Sequence, residues 1–367
     1  MIKVIELFAG IGSQTQALKN QNIEHDIIGI SEWSINSIIS YGELHCSNKP
    51  DYNLSKEEIL EKLKDVTFSL DTKTPYNLKK LKESKLKLLY KHHKNSKNLG
   101  SITDMSGNDI NNCNLLTYSF PCQDLSILGK KKGLYDGKSS SLLWEVKRLL
   151  DETKKMPEYL LMENVNSILN KTHKKGFDEW KIFLSNKGYY NYVLLLKASD
   201  YGIPQNRDRA YMISSLYNLK DIKERIISQA KRTKLRIKDI LDGEHREMTN
   251  LYNYLPEKIE YKHTKDDVEF SNLVNYSTFK IENRFHSIDS IAPTITANGA
   301  YSRIKIYDKA KLFLLNELEH WKLMGFTKEH FDIVQKIQGK TELKKQAGNS
   351  IVVNVLEVIF KEMFKND

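Results

Sequence analysis

Short apolar runs, each followed by a longer segment with helical spacing, recur through the first two hundred or so residues of the chain. "KVIELF" (3–8), "DIIGIS" (26–31), "LLTYS" (115–119), "EYLLME" (158–163), "YVLLL" (192–196) and "RAYMIS" (209–214) have the length and β-branched content of buried strands. "SQTQALKN" (13–20), "INSIISYGEL" (35–44), "SLLWEVKRLL" (141–150) and "FDEWKIFLSNKG" (177–188) repeat apolar positions every three to four residues, as amphipathic helices do. Strand and helix in alternation predict a mainly parallel sheet covered on both faces, an α/β class.

Two regions break the rhythm. Residues 49–99 are polar, and 77–98 carry eight lysines against one glutamate. Leu78, Leu81, Leu88 and Leu89 there form one apolar face, which reads as a solvated amphipathic helix; the other reading is a DNA-contacting arm. From about 216 to 312 the alternation fails, which predicts a separate, smaller and irregular lobe. The tail returns to a helix in "IVVNVLEVIFKEMF" (351–364). No internal repeat and no Pro- or Gly-rich linker interrupts the chain.

At 367 residues the chain has room for one large domain or two modest ones. Its formal charge of +10 suits a polyanion, nucleic acid being the usual one, or reflects only a Lys-rich surface. Three cysteines without regular spacing argue against a disulfide framework and for a reducing cytoplasm. No paired metal-ligand spacing is present, so no metal is expected. The first apolar run is too short for a signal peptide, and no window is long enough to span a membrane.

Nearly every unusual residue falls at a strand end, where open parallel sheets bind ligands. Gly10 and Gly12 of "FAGIG" follow the first strand and open a helix, a turn that lets backbone approach a ligand. Glu32 ends the second strand at the offset where a dinucleotide fold holds a ribose hydroxyl, with Trp33 beside it. The third glycine of the G-x-G-x-x-G fingerprint is missing, since residue 15 is Thr. That disfavours a pyrophosphate cofactor such as NAD and favours an adenosine without one. Cys122 follows Pro121 at the end of a middle strand, and Glu163 ends the next. A thiol and a carboxyl at neighbouring strand ends suit a nucleophile and a proton donor; a buried structural cysteine and a helix-capping acid are the plain alternative. "GIPQNRDRAYMI" brings Gln205, Arg207 and Arg209 just before another strand, arginines at alternate positions sharing one side.

The ordered set "ELFAGIGSQ", "GISEW", "YSFPCQDLSILGKKKG", "LMENV", "YGIPQNRDRAYMI" and "QAGNS" resembles the motifs of the DNA cytosine-5 methyltransferases of bacterial restriction-modification systems. The resemblance implies S-adenosyl-L-methionine as cofactor, a large Rossmann-like domain with a smaller recognition lobe, and a flipped-out cytosine in duplex DNA as target. It implies Cys122 as the nucleophile that adds to C6, and Glu163 as the group at N3. Arg209, with Arg207 nearby, would stabilise the activated base. For the cofactor it carries over Phe8, Gly10, Gly12, Glu32 on the ribose, Trp33 and Ile102 about the adenine, and Asn349 at the methionine end. Gln123, Ser126, Lys130 and Lys131 fall on or beside a stretch, 126–137, that looks like the family's loop closing over DNA, its lysines meeting phosphates. Asn298, Tyr301, Ser302 and Arg303 in "TANGAYSRIK" are the candidate base readers, Arg303 being equally a phosphate clamp or a structural ion pair. "PTITANGAYSRIK" also resembles a stretch of some bacterial CpG methyltransferases.

Two departures stand out. Ser101 follows Gly100 where the family usually has Asp, and "FLLNELE" (313–319) keeps only the acid of the motif that organises the recognition lobe. The implied layout is a cofactor-binding and catalytic domain over 1–215, a target-recognition domain over 216–331, and a 332–367 segment returning to the first. A monomer, cytoplasmic and nucleoid-associated, is expected, together with a cognate restriction endonuclease on another chain if there is one. An RNA cytosine-5 methyltransferase of the same fold, a catalytically silent DNA-binding protein and an NAD-dependent oxidoreductase are the rivals. The last leaves Pro-Cys-Gln and Q-x-R-x-R unexplained.

Overall fold

Strand β1 (Ile2–Leu7), buried from Val4 onward, lies at the heart of a six-stranded sheet. It runs parallel to β2 (His25–Ser31) on one side and β3 (Leu115–Tyr118) on the other. A further parallel strand, β4 (Tyr159–Val165), pairs with β3. The computed structural model describes residues 1–47, 50–120 and 142–365. Beyond β4 come β5 (Tyr190–Lys197), the short β6 (Gln205–Asn206) and β7 (Asp208–Ser215). The sheet order is β2-β1-β3-β4-β7-β5, and β7 runs antiparallel to β4. That reversal brings the beginning of β7 to the same edge as the carboxyl ends of β1 to β4, with Val165 opposite Arg209.

Helix α1 (Ser13–Asn20) follows β1 and α2 (Ile35–His45) follows β2. The helices Leu142–Glu152 and Lys171–Asn186 cover the sheet with Leu143, Val146, Leu149, Leu150 and Trp180, all fully buried. Their spacing of three and four residues puts them on one stripe. Trp180 satisfies its indole N–H on the Tyr118 hydroxyl at 3.1 Å, so neither buried polar group is orphaned.

The lysine-rich insert forms α3 (Lys56–Lys62), capped by Ser55, and α4 (Glu83–Asn95). The amphipathic-helix reading holds with a shifted face: Leu86, Leu89, Tyr90 and His93 are buried, while Lys87 and Lys94 face solvent. Leu78 lies in a preceding 3-10 turn and Leu88 is only half-buried. A His92 Nε2–Glu43 Oε1 contact of 2.8 Å ties α4 to α2.

The described chain forms two compact units. The first comprises Met1–Leu196, Asp208–Ser228 and Leu356–Asp367; the second comprises Lys197–Arg207 and Gln229–Val355. The stretch where alternation fails is not irregular: five strands at 262–263, 269–272, 284–287, 305–308 and 311–314 make a sheet of its own. Strands of two to four residues are too short to show a period of two. Leu251, Leu273, Phe285 and Leu312 fill the core on that sheet. The acid of "FLLNELE", Glu319, is fully buried there. It accepts from the Asp242 N–H at 2.9 Å and lies 2.6 Å from His245 Nε2. With Asn316 it also closes the capping box of the helix Glu317–Lys322, so one carboxylate organises two segments. Gly348 of "QAGNS" has a packing reason: a Cβ there would lie 2.2 Å from the backbone nitrogen of Ala297.

Candidate active site

The carboxyl edge of the six-stranded sheet is where the first unit's unusual residues collect. After β1 the chain turns through Phe8, Gly10 and Gly12 with φ of 57°, 58° and 79°. The two glycines take this left-handed conformation without a Cβ penalty. A Cβ on Gly12 would strike His45 Nε2 at 2.4 Å, so that glycine is needed for packing; one on Gly10 would meet nothing within 4 Å, so the loop opens onto free space.

Glu32 spans this loop. One carboxylate oxygen accepts from the Gly10 N–H at 2.9 Å and the other from the Ser34 N–H at 2.7 Å. Asn98, which carries no motif in the sequence, clamps the backbone of Glu32 in both directions, at 3.1 and 3.0 Å. Trp33 is half-buried and its carbonyl accepts from Ser69. Ile102 is buried against the core that also receives Phe8 and Leu99. Ser101 caps the short helix Ile102–Asp104. The acid missing at 101 stands at 104, where it binds the Thr67 N–H at 2.9 Å. A glycine loop open to space, a carboxylate at its rim and a neighbouring indole suit an adenosyl group.

Beneath the loop, Glu6 on β1 is fully buried and accepts from the Thr15 hydroxyl at 2.8 Å; Thr15 also bonds Tyr41. Burial raises its carboxyl from 4.5 to about 7. The native state therefore holds this proton more tightly than the unfolded chain, and stability falls as pH rises from about 4.5 to about 7. The loss amounts to about 3 kcal/mol. Urea unfolding of Glu6→Gln across that range should show a flatter profile than the parent; identical profiles would refute the assignment.

At the ends of β3 and β4, Glu163 is 6 % exposed. Its Oε1 lies 3.2 Å from Arg209 Nε, and its Oε2 accepts from the Ser119 hydroxyl at 2.6 Å. Next to it, the Asn164 amide donates to the Phe120 carbonyl at 3.0 Å. The stretch leading to Pro121–Cys122 is thus pinned to β4 by two side chains, Ser119 and Asn164, that sequence reasoning missed. Their signal was the pairing of β3 with β4, which puts the residues just past each strand end side by side. Cys122, Gln123, Ser126, Lys130 and Lys131 lie outside the described residues.

Arg207 differs from Arg209. It belongs to the second unit, where its guanidinium donates to the carbonyls of Ile295, Gly348 and Ser350 at 2.9–3.3 Å. Arg207 falls between β6 and β7 and not on a strand, so the alternation expected along one strand does not apply to it. Asn349, also in the second unit, is exposed at the end of the helix Lys340–Asn349. Asn298 is exposed on a turn through Gly299; the Tyr301 hydroxyl accepts from Arg284 at 2.9 Å, and Ser302 bonds the Gly299 carbonyl. Arg303 forms an ion pair with Glu282 at 3.1 Å.

A family model of C-5 cytosine-specific DNA methylases matches residues 71–365. The chain belongs to this family. Over 99% of its length the methylase is 37% identical to the orphan methyltransferase M.SssI of Spiroplasma monobiae, covering 97% of that protein. It is 35% identical to the type II methyltransferase M2.ScrFI of Lactococcus lactis subsp. cremoris, with 100% of each chain covered. Among solved structures, the S. pombe Dnmt2 methyltransferase matches with a TM-score of 0.64 at 17% identity, over 98% of this chain and 97% of that one; this likeness shows the fold alone. The methylase transfers a methyl group from S-adenosylmethionine to C5 of cytosine in DNA. Among the described residues no helix is long and apolar enough to cross a membrane.

Proposed function

We propose that the methylase works by covalent addition, with Cys122 as nucleophile and the Glu163–Arg209 pair as the apparatus that makes the cytosine accept it. The observation that carries this reading is the buried carboxylate of Glu163, held between Arg209 and Ser119 at the strand ends. C5 of cytosine is a poor nucleophile. A thiolate adding to C6 pushes electrons toward N3 and C5, and Glu163 holds or protonates N3 as they arrive. C5 is then enamine-like and takes the methyl group. Loss of the C5 proton expels the thiol and restores the ring. Bound S-adenosylmethionine supplies an electrophilic methyl on a sulfonium. Arg209 keeps Glu163 in place and balances charge at the base. Arg207, engaged with three carbonyls, serves the frame of the second unit in this reading.

The test is a trap. DNA carrying 5-fluorocytosine has no C5 proton to lose, so the enzyme should remain attached, and peptide mapping should find the base on Cys122. Attachment elsewhere, or none at all with active enzyme, refutes the covalent route.

For the cofactor, Glu32 is assigned to the ribose hydroxyls, with Phe8, Gly10, Gly12, Trp33 and Ile102 shaping the adenosyl site and Asn349 reaching the methionine end. Glu32→Ala should weaken S-adenosylmethionine binding by about 1–3 kcal/mol by calorimetry. Non-specific DNA affinity should hardly change. Unaltered cofactor affinity would mean the ribose is held by another group.

DNA recognition is assigned to the second unit, with Asn298, Tyr301 and Ser302 as readers, and phosphate contact to Gln123, Ser126, Lys130 and Lys131. Arg303 has its ion pair with Glu282 in favour of a structural role. Bisulfite sequencing of host DNA after expression would give the site. A separate cognate restriction endonuclease, and action as a monomer, complete the proposal.

A further inference from the structure

In the second unit, a cleft of about 380 Å³ is lined by Lys262, Phe270, Asn272, Lys280, Asn283 and Arg284. Strand register explains the convergence. Lys262 pairs with Phe270, and Arg284 with Asn272, in antiparallel ladders. Directly opposed residues share a face, and so do residues two apart on one strand, so all four project from one side of the sheet.

The charge there is uncompensated. No carboxylate lines the cleft. The nearest acids in sequence are already taken: Glu260 by Lys258 at 2.8 Å, and Glu282 by Arg303 and Lys305. Among the described residues Lys262, Lys280 and Arg284 have no ion-pair partner, whereas exposed cations elsewhere, such as Lys238 and Lys328, have one. Arg284 is also held still. Its guanidinium stacks 4.2 Å over the Phe270 ring, and one nitrogen donates to the Tyr301 hydroxyl. Its remaining donor edge has no partner among the described residues. A fixed guanidinium with a free edge and two flanking ammonium groups is a site for a tetrahedral oxyanion.

We infer that this cleft clamps a backbone phosphate of the substrate DNA, through Arg284 with Lys262 and Lys280. The inference rests on the reading of the second unit as the recognition lobe and adds a phosphate site to it. Through Tyr301, the clamp is joined to the turn at Gly299 that carries the candidate base readers. Phosphate contacts set register and orientation but carry no sequence information.

The experiment uses the full chain, a cognate duplex and an unrelated duplex. Lys262→Gln/Lys280→Gln changes only the charges of two side chains that support no described ion pair, so folding and cofactor affinity serve as internal checks. Binding of both duplexes should weaken alike, and the slope of log affinity against log salt should become shallower by up to about 1, the contribution of the single phosphate the cleft holds. Arg284→Gln should act in the same direction, while the pattern of methylated sites stays that of the parent. An unchanged salt slope overturns the clamp, and so does a changed site preference, which would make the cleft a base reader. If the lysine variants bind normally while replacing Asn298 and Tyr301 weakens cognate binding, the clamp is wrong and the lobe reading stands. If neither set affects DNA binding, the lobe reading itself fails.

Discussion

Cys122→Ser should abolish methylation while leaving S-adenosylmethionine and DNA affinity near those of the parent. A cysteine is a few per cent thiolate at neutral pH and intrinsically very nucleophilic, whereas a serine hydroxyl has no comparable anion. The variant should also form no stable adduct with 5-fluorocytosine DNA. The other two thiols are natural controls, since both are buried. Cys113 donates to the Leu115 carbonyl at 2.9 Å, and burial pushes its thiol up to about 12, so it has no thiolate to offer. Cys113→Ala should keep activity and cost roughly 1 kcal/mol of stability for the missing hydrogen bond. Robust turnover by Cys122→Ser, or its loss in Cys46→Ala or Cys113→Ala with folding intact, would move the nucleophile elsewhere.

The second large effect is expected at Glu163 and Arg209, and the two should fail differently. Glu163→Gln keeps the shape and a hydrogen-bond acceptor for Arg209 but removes the carboxyl and its charge, so single-turnover methylation should slow by about 10²–10⁴-fold, with a smaller loss of stability than Arg209→Ala gives. Arg209→Ala strips a nearly buried carboxylate of its cation. Removing one partner of a buried pair costs about 3–5 kcal/mol, so this variant should be unstable as well as slow. Since Arg209 is 16 % exposed, the lower end of that range is expected. Combining Glu163→Gln with Arg209→Ala should recover stability but not rate, because the uncompensated charge is then gone. If the double variant is as unstable as Arg209→Ala, Arg209 stabilises the fold by some route other than Glu163. If Glu163→Gln methylates at the parent's rate, the carboxyl has no part in activating the base.

Much of the first unit is legible in the chain itself. Helix α1 has the bounds its polar spacing predicts, and β1, β2, β3 and β7 fall within a residue or so of their apolar runs. A run buried on both faces must be uniformly apolar and must end where polar turn residues begin, and that is a local property. The motif order likewise carries the family, because the chemistry needs particular residue types at strand ends.

What sequence could not decide was direction, partner and depth. The apolar run of β7 is the same read either way; only pairing with β4 makes it antiparallel and brings Arg209 to Glu163. Arg207 and Arg209, two residues apart, fall in different units because the chain passes from one to the other between them. In the lysine-rich insert the choice of Leu86 over Leu88 as a buried position depends on which face α4 turns to α2. The second unit's sheet was invisible because its strands are too short for a period, and its burial comes from other strands and from Glu319. Local composition sets what an element is; which element it meets is a long-range choice made by packing, and the ion pair, the clamp and the shifted helix face all follow from that choice.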